Sequence, residues 1–476
     1  MKMKYIYAIL ILISFTLTFG CKKFVQLDPP DDRLTGSTVY ATNQTATSVL
    51  NGLYIRIAET NNVLTSYATT YMGFASDELK NHYINAASSY TQLYQNNVSI
   101  NTEIYWATTY TLIYNCNVAI EGVENSSKLN AQLKLQLIGE AKFMRALCYY
   151  YLVNTYGKVP LVLKSDYRLY TMSKRAEVSE IYMQMTADLQ DAQVKLSKNY
   201  LDGDALTSYP SASAERVRPT YWAATALLAR IYLYNKQWAQ AETEASILLN
   251  NTSMFSLVSP SLVFLKNSQE SIFQLQAVIQ GNYALFDART FVLTNSIGTS
   301  SKPAAISSQL EQAFEVNDLR KANWIGKVNI SGIDYLFPYK YKAHTPALAA
   351  SKPEYLTLLR LAEQYLIRAE ARAQLNNIDG AQADLNKIRN RAGLGNTTAG
   401  TQSALLDAVM KERQLELFCE QGHRWFDLKR TGRINDVMNV VSPTKGGTWS
   451  SYKQLMPIPA YEIGNDKNLE QNPGYN

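Results

Sequence analysis

Three successive pairs of helix patterns constrain this 476-residue chain more than anything else in it. Leu133 to Tyr156 places Leu137, Ala141, Met144, Leu147, Cys148, Tyr151 and Leu152 three and four residues apart, the period of one helix face. Gly157 and Pro160 stop that pattern, and Val178 to Leu196 resumes it through Ile181, Met185, Leu189, Ala192 and Leu196. Tyr221 to Tyr234 with Trp238 to Leu249 make a second pair, and Tyr355 to Leu375 with Asp379 to Arg389 a third. Alanines recur on the inner faces, Ala226, Ala229, Ala241 and Ala245 in one pair and Ala362, Ala369, Ala373 and Ala381 in the other. Small side chains let two helices pack closely, so each pair reads as a helical hairpin.

Such hairpins resemble tetratricopeptide units, and they predict a mainly α-helical fold with hairpins over about 133–250 and 355–392. Their spacing is irregular because Thr252 to Glu354 intervenes, a loop-rich insertion with strand-like pieces such as Ser271 to Ala277. Upstream, Thr42 to Thr60 and Trp106 to Val123 carry two further helical patterns. The Tyr- and Asn-rich stretch between them has no sustained period and reads as irregular.

The N-terminus sets the compartment. Met1 to Lys4 form a short cationic start, Tyr5 to Gly20 an uncharged run, and Lys22 and Lys23 end it. Thr16, Thr18 and Gly20 leave that run short of the roughly 20 apolar residues of a membrane span, so residues 1–20 read as a cleaved export signal. Gly20 supplies the small residue before the cut, and the Cys21 thiol is the acceptor for a lipid. Residues 21–40, with Pro29, Pro30 and Gly36, read as a tether, and 41–476 as a single domain. After Cys21 only Cys116, Cys148 and Cys419 remain, an odd number that makes a disulfide framework a poor reading.

Charge excludes one class of partner. The formal net charge is +6, two units of which leave with Lys2 and Lys4, and the basic residues are scattered, so no nucleic-acid partner is indicated. The chain holds 33 Tyr against 14 Phe and 6 Trp, a supply of amphipathic rings suited to polyhydroxylated or peptide-like ligands. His82, His344 and His423 stand too far apart for a metal set, and Gly446-Gly447 lacks the Lys-Ser/Thr of a phosphate loop. Neither a metal nor a cofactor is implied.

The C-terminal quarter carries the most specific pattern. Glu412-Arg413, Glu416, Phe418 and the run Glu420-Gln421-Gly422-His423-Arg424-Trp425-Phe426-Asp427-Leu428-Lys429-Arg430-Thr431-Gly432 resemble the C-terminal signature of SusD/RagB proteins, within a region 404–476. Met456-Pro457-Ile458-Pro459, Glu462, Asn468 and Gln471-Asn472-Pro473-Gly474-Tyr475 resemble that family's terminal motif, and Cys21-Lys22-Lys23-Phe24 with Leu27-Asp28-Pro29-Pro30 its start. The resemblance implies a SusD-like helical fold, lipid-anchored to the outer membrane and facing the cell exterior. It also implies a non-enzymatic role, capturing oligosaccharide or peptide for a partner TonB-dependent β-barrel transporter.

Read from the residues, the clustered His423, Arg424, Asp427, Glu416 and Glu420 favour a structural role, with rings buried and arginines paired to carboxylates. Ligand binding is expected within Met72 to Asn97, where Asp77, Tyr83, Tyr90 and Tyr94 alternate with asparagines. Aromatic faces take the C–H faces of sugars while Asp and Asn take the hydroxyls. Tyr283 and Phe286, in the central insertion, are the second candidate group. Two other readings stay open: a tetratricopeptide-type adaptor binding a protein partner, and a glycan-cleaving enzyme built on Asp77 and Glu78.

Overall fold

A computed structural model describes residues 39–475 apart from 59–62, 167, 169–171, 211–213 and 278–283. The expected export signal, Cys21, most of the tether and Tyr283 therefore lie outside the described residues. Along the chain, helix α1 (Asn43–Ala58) leads through a wide turn, Val63–Tyr67, into α2 (Ala68–Ala75). There follow strand β1 (Leu79–Asn81), α3 (Ser89–Tyr94), α4 (Trp106–Asn125) and the 26-residue α5 (Ala131–Tyr156). Asn130 caps α5 by accepting the backbone N–H groups of Gln132 and Leu133 at 2.8 and 3.2 Å, and Gly157 ends it with φ of 75°. Helix α6 (Val178–Lys195) starts on a reciprocal Glu177–Glu180 capping box and packs back along α5.

The second hairpin is α7 (Tyr221–Tyr234) and α8 (Trp238–Leu249), closed by fully buried Ala223, Ala226, Ala229, Ala241 and Ala245. Next come β2 (Ser271–Leu275), α9 (Phe286–Phe291), β3 (Ala304–Ile306) and the antiparallel hairpin of β4 (Ile325–Ile330) and β5 (Ile333–Pro338). Strand β6 (Leu356–Arg360) pairs antiparallel with β2 and runs directly into α10 (Leu361–Gln374). Helix α11 (Ile378–Arg391) completes the third hairpin, with α12 (Gln402–Glu416) and α13 (His423–Arg430) after it. Ala362, Ala369, Ala373 and Ala381 are fully buried in this hairpin with Leu366, Leu385 and Ile388. The fold is therefore mainly α, with tetratricopeptide-like hairpins and four two-stranded sheets among the described residues.

Two stretches differ from the sequence reading. The interval between α1 and α4 holds α2 and α3, and all eight residues of α2 are buried, so no polar face marks its period. Leu356–Arg360 is a fully buried strand, because a short run buried on both faces shows neither the period of a strand nor that of a helix. Helix α12 stops at Glu416, and Cys419, Gln421 and Gly422 take φ of 50°, 43° and 79°. A Cβ on Gly422 would lie 2.9 Å from Met72 Cγ and 3.1 Å from the Ala68 carbonyl oxygen, so that turn seats the C-terminal segment on α2.

A candidate binding face and the ion-pair cage beneath it

The signature residues build an anchor inside the fold. Arg360, at the end of β6, donates from Nη1 to Glu270 at 3.0 Å and to Glu416 at 2.5 Å, and from Nε and Nη2 to Glu420 at 2.8 Å. Arg320 binds Asp318, Glu412 and Glu416, Lys340 binds Glu420, and Arg391 joins Glu270 to Glu416. Trp324, Phe264 and Phe418 wall the cage, with the Lys340 ammonium 4.1 Å from the Phe418 ring centroid. Burial alone would raise the Glu416 carboxyl, but Arg391, Arg360 and Arg320 hold it well below the usual carboxylate range. The cage locks the central insertion to α11, α12 and the turn after α12.

Asp77 and Glu78 belong to the same buried layer. Arg424 clasps Asp77 from Nε and Nη2 at 2.8 and 2.7 Å, and Asp77 is only 5 % exposed. Burial favours its neutral form, yet the Arg424 pairing overrides it and keeps the carboxyl below its ordinary value. The sequence expectation that Asp77 takes ligand hydroxyls is corrected on this point: its oxygens are turned inward and occupied. Glu78 is pushed up to about 8, first by burial and then by the Asp77 carboxylate. Lys445 completes this layer, donating to the carbonyls of Phe74, Ala75 and Ser76 at the end of α2.

Above the layer lies a sheet of rings. Phe74 on α2 touches both Tyr90 and Tyr94 of α3, with centroids 5.4 and 6.4 Å apart. Tyr90 meets Tyr71 edge-on at 5.9 Å and Tyr83 at 6.5 Å, while Tyr67 stacks on Tyr71 at 4.6 Å. Tyr67, Tyr83, Tyr90 and Tyr94 are each half-buried, presenting part of a ring outward. The loop bearing Tyr83 is held by Asn81, whose side chain accepts the Tyr83 N–H and donates to its carbonyl, and by Thr91. Asn85 reaches the Tyr83 hydroxyl at 3.3 Å, and Ile84 stands 98 % exposed at the loop tip.

The central insertion borders the same region. Strand β1 pairs with β3, His82 packs edge-on against Tyr335 of β5 at 5.3 Å, and α9, carrying half-buried Phe286, abuts the Val63–Tyr67 turn. The backbone of α3 is seated by Gly447, where a Cβ would fall 1.9 Å from the Gln95 carbonyl oxygen. Sequence reasoning missed Tyr67, Tyr71 and Tyr335; the i, i+4 spacing of Tyr67 and Tyr71 was the available signal.

The structure thus combines stacked helical hairpins, a buried ionic cage that fastens the insertion to them, and an aromatic face over it. The model described as "SusD family" matches residues 284–475, and the one described as "Starch-binding associating with outer membrane" matches residues 24–233. The chain belongs to the SusD/RagB family. SusD-like protein P25 of Formosa agariphila is 26 % identical over 421 residues, 75 % of this chain and 76 % of that protein. A laminarin-binding SusD-like protein superposes with a TM-score of 0.77 at 21 % identity, covering 92 % of this chain and all of the other. Surface glycan-binding protein A from Bacteroides fluxus superposes at 0.75 with 24 % identity over 91 % of this chain and all of its own.

Proposed function

We propose that this protein is a glycan-binding lipoprotein of the outer membrane that captures oligosaccharide on the Tyr67–Tyr71–Tyr90–Tyr83 face and passes it to a TonB-dependent transporter. The observation that carries the reading is that face itself: contacting rings, partly outward, fringed by Asn81 and Asn85. Rings in mutual contact are already ordered, so a sugar stacking on them costs little side-chain entropy. The laminarin-binding and glycan-binding proteins of the same fold support carbohydrate as the ligand class, and the outer-membrane description of the matched model supports the location. In this reading Cys21 carries the lipid, residues 21–40 are the tether, and the remainder is one binding unit.

No chemistry on the ligand is part of the proposal. Asp77 and Glu78, the acids that an enzyme reading would use, sit under the face, one tied to Arg424 and the other favoured neutral below about pH 8. Phe286, on α9 beside the Val63–Tyr67 turn, borders the binding face in this reading.

A binding screen of the mature chain against polysaccharides and peptides tests it, with Tyr83→Ala and Tyr90→Ala alongside. Stacking on one ring is worth roughly 0.5–1.5 kcal/mol in aromatic pairs, so each variant is expected to lose about two- to tenfold in affinity for a glycan. Glycan binding untouched in both variants would remove the site from this face, and binding of peptides alone would replace the ligand class.

A further inference from the structure

Helix α9 carries two polar groups that the fold leaves unsatisfied on one small pocket. Asp287 is 3 % exposed, and its Oδ1 is buried without a hydrogen-bond partner. Two residues on, Arg289 has its Nε buried in the same condition, and its guanidinium carbon lies 6.0 Å from the Phe286 ring centroid. Both residues line a pocket whose other walls include the apolar Leu275 and Leu356. It leaves about 20 Å³ for the centre of a water-sized group, where one water needs roughly 10–15 Å³ on that measure. Thr65, in the turn that carries Tyr67, and half-buried Phe286 also line it, so the pocket adjoins the tyrosine face. Burial, then the Glu420 carboxylate, pushes the Asp287 carboxyl up to about 8, so near neutral pH it calls for a hydrogen bond and not a counter-ion.

We infer that this pocket receives one hydroxyl group of a carbohydrate lying on the tyrosine face, held between Asp287 Oδ1 and Arg289 Nε; the inference rests on the glycan reading of that face. An acceptor and a donor left unsatisfied on one pocket complement a group that accepts and donates through a single atom, as a hydroxyl does. Size sets aside the carboxylate, sulfate and acetamido substituents of acidic and amino sugars, which are branched and need several times the room. A methyl group would fit but leave both polar atoms unpaired, and a site built to bond a hydroxyl rejects such an analogue. No group of His, Cys, Asp and Glu among the described residues is arranged to hold a metal ion, and the Arg289 charge repels one. An unpaired buried polar group weakens the fold, so Asp287 and Arg289 differ from the cage residues in a way that a melting temperature reads.

The test is calorimetric titration of the mature protein with laminarihexaose, maltohexaose, cellohexaose and xylohexaose, repeated for Asp287→Leu, Arg289→Met and Tyr90→Ala. At least one hexaose is expected to bind, and Asp287→Leu and Arg289→Met each to weaken it about tenfold, the worth of one buried hydrogen bond. Asp287→Leu should melt no lower than the wild type, because it removes an unpaired buried acid. A lower melting temperature with unchanged affinity would make Asp287 a structural residue and overturn the inference. Affinity lost in Tyr90→Ala alone would overturn it and spare the glycan reading; affinity lost in the two pocket variants alone would uphold the pocket and move the sugar off Tyr90; no hexaose bound would overturn both. A crystal structure with the bound hexaose should place a sugar oxygen within about 3.2 Å of both atoms, and a water bridging them in its place would reduce the pocket to an internal water site.

Discussion

The ionic cage around Arg360 and the tyrosine face above it are both polar, aromatic and drawn from distant parts of the chain, yet they are built on opposite terms. In the cage, Arg320, Arg360, Glu416 and Glu420 are at most 3 % exposed and each charge has a bonded counter-charge. On the face, Tyr67, Tyr83, Tyr90 and Tyr94 are only half-buried, and the Tyr83 hydroxyl meets the Asn85 amide. A group meant to hold the fold spends its hydrogen bonds internally; a group meant to bind leaves some unspent. Asp77 shows the distinction within a few residues of Tyr83, since its full pairing to Arg424 places it with the cage.

The largest effect should come from breaking the cage. Arg360→Met leaves Glu270, Glu416 and Glu420 short of their common cation, and removing one partner of a buried pair costs roughly 3–5 kcal/mol. Chemical denaturation of the variant is the measurement, and a loss under about 1 kcal/mol would show that the cage is not what fastens the insertion to α12.

The face should divide internally. Tyr94 packs between Phe74 and the Lys445 ammonium, which lies 5.2 Å from its ring centroid, so Tyr94→Ala is expected to cost about 2 kcal/mol of stability, below the 3–5 of a fully buried aromatic. Tyr83 touches Tyr90 and stands nearer the rim, so Tyr83→Ala should change stability by less than about 1 kcal/mol while losing affinity. The same loss of stability in both variants would erase the line drawn here between supporting and binding rings.

How much of this was legible in the sequence follows the same division. The hairpins were, because their apolar positions recur at helical spacing over 12 residues or more; α2 was not, because its eight residues are all buried and too few to show a period. Tyr83, Tyr90 and Tyr94 stood out because they share one short polar stretch, whereas Tyr335 reaches the region only through the β-hairpin of the insertion. Asp77 was misjudged for a related reason. An acid among Tyr and Asn looks exposed until its partner Arg424, 347 residues away, is brought onto it. In a linear pattern, paired buried charges and solvated ones are spelled alike.

Glu78 offers the finest cut, because it belongs to the cage layer by burial but carries no counter-ion of its own. Its folded value, about 8, lies above the ordinary value of 4.5. Between those two values the unfolded chain has released the proton and the folded chain retains it, so folding loses free energy with each step up in pH through that window. Asp287, pushed up to about 8 first by burial and then by Glu420, adds to the same slope. Glu416, held low, acts the other way and only in acid: its contribution is present above about 4.5 and fades as the pH falls below that. Lys429 and Lys445, lowered to about 7 by burial, oppose that slope above pH 7, so the variant is the readout: Glu78→Gln, which keeps the acceptor for the Cys419 N–H, should raise the denaturation midpoint at pH 8 relative to that at pH 5.5. An unchanged difference would mean that Glu78 is charged in the folded state and paired, which would make it a full member of the cage and leave Asp287 to account for the slope.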